Sequence, residues 1–437
     1  MNIVPELTAP RRARKLTVAD RTTDSGLRMV AVRKPGIPLA EIRLRVPFLG
    51  GGTSHPARAS LLSDTLLTGA GPYGRAELAA AVQSLGADLS AHVDADRLLL
   101  TGNVLSTGLD GLLELLALVL TDARHAADEV ATERDRLIER LTIARSRGAV
   151  VAGEHLAERM WGAHPYARDL PRPEAVSAVT PAQVRALHRD RVRPGEAVLI
   201  VVGDVSPKRV LDRAEAALAG WTGFGGHPRV PALPTPPRGP LLVVDRPGSV
   251  QSSLRMATMT VPRSDPGYPA AQLANLVFGG YFSSRWVENL REDKGYTYGP
   301  HSRIDHQVLG SVLTLDAEVA TEVTAPSVLE TRYELGRIAT LPVTADEVES
   351  VRQYAIGTLA LSTATQAGLA STLSALSAFG LGLDWILEHP ARLQRVTVDE
   401  VSAAAAANLA PARFTSVIVG DAASIAGPLS ALGAVEK

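Results

Sequence analysis

The stretch LREDKGYTYGPHSR (290–303) holds a fixed cation, Arg291, and a phenol, Tyr298, seven positions apart across a Lys-Gly break. The familiar catalytic sets are missing around them. The chain has no cysteine, so it can form neither disulfides nor thiolate metal sites. It contains no H-E-x-x-H, no Gly-Lys-Ser/Thr phosphate loop and no G-x-S-x-G elbow. GGG (50–52) alone reads as a turn.

The histidines do not assemble into a metal site by spacing. His55, in GGTSHPARAS, reads as a turn residue at a loop or helix start, and His155, in AGEHLAERM, as a helix-face residue. His301 and His306 straddle one strand and point to opposite faces. His92, Asp94 and Asp96 alternate onto one strand face and could bind an ion; the spacing reads first as a solvated face.

These residues need elements to position them. The chain has 437 residues, 46% hydrophobic and 21% charged, which suits two or more domains with aliphatic, helix-rich cores. A formal net charge of −1 argues against a general nucleic-acid binder. The run Arg11-Arg12-Ala13-Arg14-Lys15 has no apolar stretch behind it and reads as a solvated arm, not a secretory signal. The most apolar helix, DGLLELLALVLTDA (110–123), is too short to span a membrane. A cytoplasmic protein is expected, with no membrane partner.

The chain repeats itself. LRMVAVRKPGIPLAEIRLRV (27–46) reads strand, Pro-Gly turn, strand, and LLVVDRPGSVQSSLRMATMTV (241–261) reads the same. Each half closes on a similar strand, AVLIVVGDVS (197–206) and FTSVIVGDAAS (414–424). The Pro/Gly-rich stretch at 222–240 reads as a linker. The expectation is an α+β protein of two homologous domains, 1–221 and 241–437, each a largely antiparallel sheet packed with helices. Within the first half, 75–87 reads as an amphipathic helix and 87–105 as paired strands. Helices are expected at 110–123, 126–147, 149–162 and 181–191, the last starting after Thr180-Pro181.

With these features in place, the chain resembles the pitrilysin-like, inverted-zincin metallopeptidases, in particular the short bacterial and mitochondrial-processing-peptidase branch. The strongest local match is VFGGYFSSRWVENLREDKGYTYGPHS (277–302), similar to the family's Gly-Phe-Ser-Ser-Arg segment and the Arg…Gly-x-x-Tyr that follows it. Active members carry H-x-x-E-H on a first-half helix, with both histidines on one face binding zinc and the glutamate as general base. Aligned through Gly69, ASLLSDTLLTGAG (59–71) puts Ser60, Ser63 and Asp64 at those positions. ATERDRLIERL (131–141) matches the segment of the third ligand, with Glu133 aligned and Arg140 where the ligand should be; Glu139 is one residue off, about 100° around a helix. Serine is a poor zinc ligand and arginine opposes a cation, so no catalytic zinc is expected in this chain. An Asp64–Arg140 ion pair is one way to fill the space.

The resemblance implies roles for the remaining pair. Arg291 would hold the substrate backbone and Tyr298 would donate to the oxyanion, with Gly295 turning the chain between them. The expected function is then a metal-free subunit of a heterodimeric zinc peptidase. It would lend Arg291 and Tyr298 to the active site of a homologous zinc-carrying subunit acting on peptides, leader peptides among them. A non-enzymatic binding or structural module of the same fold is the alternative. An autonomous zinc peptidase with a displaced site, for instance His55, Asp64 and Glu139, is the third reading. Gly279 and Gly280, with the linker glycines, are expected to let such a chamber open and close.

Overall fold

The computed structural model describes residues 16–224 and 230–437. The basic run at 11–15 and part of the 222–240 segment lie outside the described residues. Two six-stranded sheets organise the chain. The first contains β1 (Thr17–Thr22), β2 (Arg28–Arg33), β3 (Leu39–Pro47), β4 (Asp88–Val93), β5 (Arg97–Leu105) and β6 (Val198–Gly203), in the order β1-β2-β6-β3-β5-β4. The second contains β7 (Leu241–Asp245), β8 (Gln251–Thr260), β9 (His301–Gln307), β10 (Gly310–Ala320), β11 (Thr415–Gly420) and β12 (Val435–Glu436), in the order β12-β7-β11-β8-β10-β9. Both sheets are mixed and mostly antiparallel, with helices packed on them, so the architecture is two α+β lobes.

The repeat is visible in the strand order. The strands flanking each Pro-Gly turn, β2 with β3 and β7 with β8, are not hydrogen-bonded to one another. The closing strand of each half inserts between them, parallel to one and antiparallel to the other. Such a strand is covered on both faces, which is why VLIVVG reads as an unbroken apolar run. Leu199 and Val201 enter the first lobe's core; Val198, Ile200 and Val202 face the other way.

What covers that other face is a helix from the opposite half. Helix Gln366–Ser377 places Leu369, Ala370, Leu373 and Leu376 against Val32, Val198, Ile200 and Val202. In return, helix Gly148–Trp161 places Leu156, Met160 and Trp161 against Ala257, Val312 and Val417 of the second sheet. Each lobe therefore lends a helix to the other's sheet. Polar contacts reinforce the exchange: the Gln366 amide donates to the carbonyls of Lys34 (2.7 Å) and Ile37 (3.0 Å). Tyr166 donates to Asp96 at 2.5 Å, and Asp96 accepts the Val308 N–H at 3.0 Å.

The expected local elements are present. Helix Pro181–Arg191 begins with a capping box between Thr180 and Gln183. Helices Arg75–Ser84, Leu109–Asp122 and Ala127–Arg145 and the β4/β5 pair occupy the anticipated stretches. Two expectations are corrected. Asp94 and Asp96 do not share a strand face with His92, because β4 ends at Val93 and both sit in the following turn; there Asp94 accepts the N–H groups of Asp96 and Arg97. Gly279 is not a free hinge either. A Cβ there would come within 2.9 Å of Ser302 Oγ and Trp286, so this glycine serves close packing. The described part of the 222–240 segment lies along the lobes: the Pro231 carbonyl bonds to His164 and that of Pro237 accepts from Thr415.

Candidate functional site

The first-lobe positions lie on two packed helices, His55–Thr65 and Ala127–Arg145. The shorter helix buries Ala57, Ala59, Leu61, Leu62 and Thr65 in the core. Ser60 and Asp64, four apart, share a face. A chain of side chains pins the helix end next to Asp64. The Leu120 carbonyl can only accept, so His188 Nε2 donates to it (3.0 Å). His188 Nδ1 then accepts from His125 Nε2 (2.8 Å), which leaves His125 Nδ1 as an acceptor 2.8 Å from the Thr65 hydroxyl, whose one proton is shared with the Leu61 carbonyl at 2.6 Å. Both rings are neutral in this arrangement, and burial pushes His125 down to about 3.

Asp64 and Arg140, 76 positions apart, meet at 2.6 Å. Asp64 is partly buried and Arg140 half-exposed. Burial raises the Asp64 carboxyl above its ordinary value; Arg140 opposes that rise and the nearby Glu133 charge adds to it. Glu133 is itself buried and bound by Arg75 (2.6 Å) and Arg136 (2.9 Å). Ser63 is buried, and Ser60 is half-buried beside a cavity of about 30 Å3. Glu139 is exposed on the helix. These residues do not fit zinc: two positions are hydroxyls, a third is a cation, and the one carboxylate is already engaged by that cation. Among the described residues no group of three or more His, Asp or Glu is placed to hold a metal ion. His55 is engaged elsewhere. Its Nε2 sits 2.8 Å from the Phe48 carbonyl, and burial lowers its pKa to about 4.

The second-lobe pair lies in a segment of irregular helical turns. Glu288–Asp293 is a π-helical stretch ending at Lys294, and Gly295 reverses the chain with φ +66°. The loop is tied down by Tyr296 N–H to the Leu290 carbonyl (2.8 Å) and by the Thr297 hydroxyl to the Glu318 carbonyl (2.6 Å). Arg291 lies between two aromatic rings, 4.4 Å from the centroid of Phe282 and 4.9 Å from that of Tyr298. Tyr298 is 86% exposed and Phe282 61% exposed, so neither ring is a core residue. Phe282, the phenylalanine of the Gly-Phe-Ser-Ser-Arg-like segment, is the member of this stack to which the sequence assigned no role. Behind the stack, Arg285 makes a two-pronged bond to Glu347 (2.6 and 2.8 Å). No hydrogen bond or ion pair among the described residues joins Asp64 or Arg140 to Arg291 or Tyr298. His301 pairs with Asp316 and His306 with Ser311, on separate partners as their positions along β9 require.

Two family models match this chain. The model described as "Insulinase (Peptidase family M16)" covers residues 58–174, and "Peptidase M16 inactive domain" covers 178–354. The first span includes Ser60, Ser63, Asp64 and Arg140, the second Arg291 and Tyr298. Among curated proteins, an uncharacterized zinc protease of Mycobacterium leprae is 26% identical over 304 residues, 67% of each chain. Another, of Mycobacterium bovis, is 25% identical over 426 residues, covering 94% of this chain and 93% of that one. Among solved structures, a peptidase M16 inactive domain from Pseudomonas fluorescens superposes with a TM-score of 0.84 at 24% identity, covering 93% of this chain and 98% of that one. A protease from Helicobacter pylori superposes at 0.82 and 16% identity, over 92% and 99% of the two chains.

Proposed function

From the two-lobed fold of the M16 (pitrilysin) metallopeptidases, which this chain carries, we propose that the protein is a non-catalytic member: a peptide-binding or structural module. The observation that carries this reading is the Asp64–Arg140 ion pair across the two helices. In the proposed register, the family's metal-binding positions here hold Ser60, Asp64 and Arg140, and its general base is Ser63. Elemental analysis of the purified protein after mild dialysis tests it. We expect far less than one zinc per chain and no peptidase activity from the chain alone. One zinc per chain would mean that the register is wrong.

A finer reading is supported by the exposed Phe282–Arg291–Tyr298 stack. A phenol held in solvent on a cation has no packing duty, which suits a group meant for another molecule. On this reading the chain pairs with a homologous zinc-carrying subunit. Arg291 holds the peptide substrate, and Tyr298 donates to the oxyanion formed in the partner's site, a contact typically worth about 3 kcal/mol to a transition state. The zinc would belong to the partner. Tyr298→Phe should then lower turnover of the assembled pair about a hundredfold while leaving the melting temperature of this chain unchanged. Equal turnover would remove the oxyanion role and leave the binding module.

A further inference from the structure

Between the lobes lies a cavity of about 380 Å3, lined from both halves. On the face of β3 that looks toward the second lobe stand Glu41, Arg43 and Arg45, all buried. Arg43 is satisfied by Glu41 (3.0 Å), by backbone carbonyls and by Ser371 (3.1 Å). Arg45, one strand step further, is 6% exposed and lines the cavity. Its guanidinium has no hydrogen-bond or ion-pair partner among the described residues, and its Nε is shielded from solvent. Arg263 reaches the same cavity from the second lobe, over the ring of Trp385 at 5.7 Å. Its Nε is also buried and unpartnered, as is the side-chain carbonyl of Gln307 on the same wall.

Four acids line the cavity; among the described residues Asp169 meets only the Ala95 backbone, and burial raises its carboxyl above the ordinary value, while the other three are engaged by side chains or backbone. Asp94 is bound by Arg97 (2.9 Å), Asp96 by Tyr166 and Val308, and Asp305 by Arg303 and Thr314. An unpaired buried guanidinium is costly unless something supplies its acceptor. Buried Arg45 and half-buried Arg263, one from each lobe and neither in an ion pair among the described residues, match the planar recognition that arginine gives to oxyanions. The lining aspartates would repel a second negative charge, which favours a monoanion over phosphate. The unpartnered Gln307 carbonyl, turned by a side-chain rotation toward the cavity, suits an N–H donor on the same ligand. We propose that this inter-lobe cavity binds a small carboxylate that also carries an N–H, of the amino-acid or short-peptide class, with Arg45 and Arg263 as its cations.

Thermal melts of the full chain at constant ionic strength test this. The probes are N-acetylglycine, its neutral analogue N-acetylglycinamide, and inorganic phosphate. We expect N-acetylglycine to raise Tm saturably, by about 1.5 °C at about ten times its Kd. The neutral analogue should give no rise. Arg45→Met and Arg263→Gln should each lose the effect, and Arg45→Met should melt no lower than the parent without ligand, since it removes an unpaired buried charge. Should Arg45→Met fail to fold, the half-buried Arg263 carries the test by itself. No rise with N-acetylglycine, or an undiminished rise in the Arg263→Gln variant, overturns the site. A larger rise with phosphate overturns the assignment to a carboxylate.

Discussion

Two arginine–carboxylate pairs show how burial sets the worth of an interaction. Arg140–Asp64 is a single contact on a half-exposed guanidinium. Arg285–Glu347 is two-pronged, and Arg285 is buried. Burial works against the Glu347 charge, yet Arg285 and the Thr344 N–H hold its pKa down at about 2. We expect Arg140→Ala to cost about 0.5 kcal/mol. Arg285→Ala should cost about 3 kcal/mol, because it strands a carboxylate that has lost its partner. Urea unfolding of both variants measures the difference, and equal losses would contradict this account. Ser60, Ser63 and Arg140 were legible as poor partners for zinc from their types alone. The pairing of Asp64 with Arg140 was not, because 76 positions separate them and only packing joins the helices.

At the scale of elements, helices His55–Thr65 and Ala127–Arg145 pack together and bring positions 64 and 140 into contact, the arrangement that the proposed register needs. Restoring donors tests the register directly. Ser60→His, Asp64→His and Arg140→Glu together should create a tetrahedral-type site with an open position. We expect about one zinc per chain for this triple variant and a Tm that rises on adding zinc. Failure to bind, in a variant that still folds, would mean that the alignment through Gly69 is off. The Thr65–His125–His188 chain matters here because it fixes the helix end beside Asp64.

At the scale of the whole molecule, the exchanged helices bury apolar surface between the lobes, and we expect the two to unfold as one cooperative body. The four tryptophans report this conveniently. Trp221 and Trp286 sit in the two lobe cores, and Trp385 and Trp161 in the two interfaces where helices are exchanged. Variants keeping one tryptophan each should show coincident urea midpoints. An interface tryptophan reporting earlier unfolding than the cores would show that the lobes separate first. Acid should act on the molecule through buried histidines. Burial holds His125 and His306 at about 3 and His55 and His389 at about 4, against an ordinary value of 6.5. The folded form keeps these rings neutral, so their contribution is full above about pH 6.5 and is lost as pH falls toward 3–4. Each fully buried ring, such as His125, should remove up to about 1.4 kcal/mol of stability per pH unit in that window. Urea midpoints at pH 7, 6 and 5 should therefore fall steadily, and a flat profile would refute it.

The sequence by itself determined the two-lobed α+β plan. The Pro-Gly turns at 35–36 and 247–248 and the paired VGD strands mark a repeat, and local periodicity places the helices and strands around it. Residue type alone also made Ser60, Ser63, Asp64 and Arg140 a poor set for zinc. Only the tertiary structure decided which elements touch. Strand periodicity says that β6 is buried on both faces but not that the second cover is a helix some 170 residues later. The same limit hid the Phe282 ring over Arg291, the Asp64–Arg140 pair, and the unpaired Arg45 and Arg263 that face one cavity from opposite lobes. Pattern along a chain reports local burial and conformation; the partners of a charge are set by packing between segments far apart in the chain.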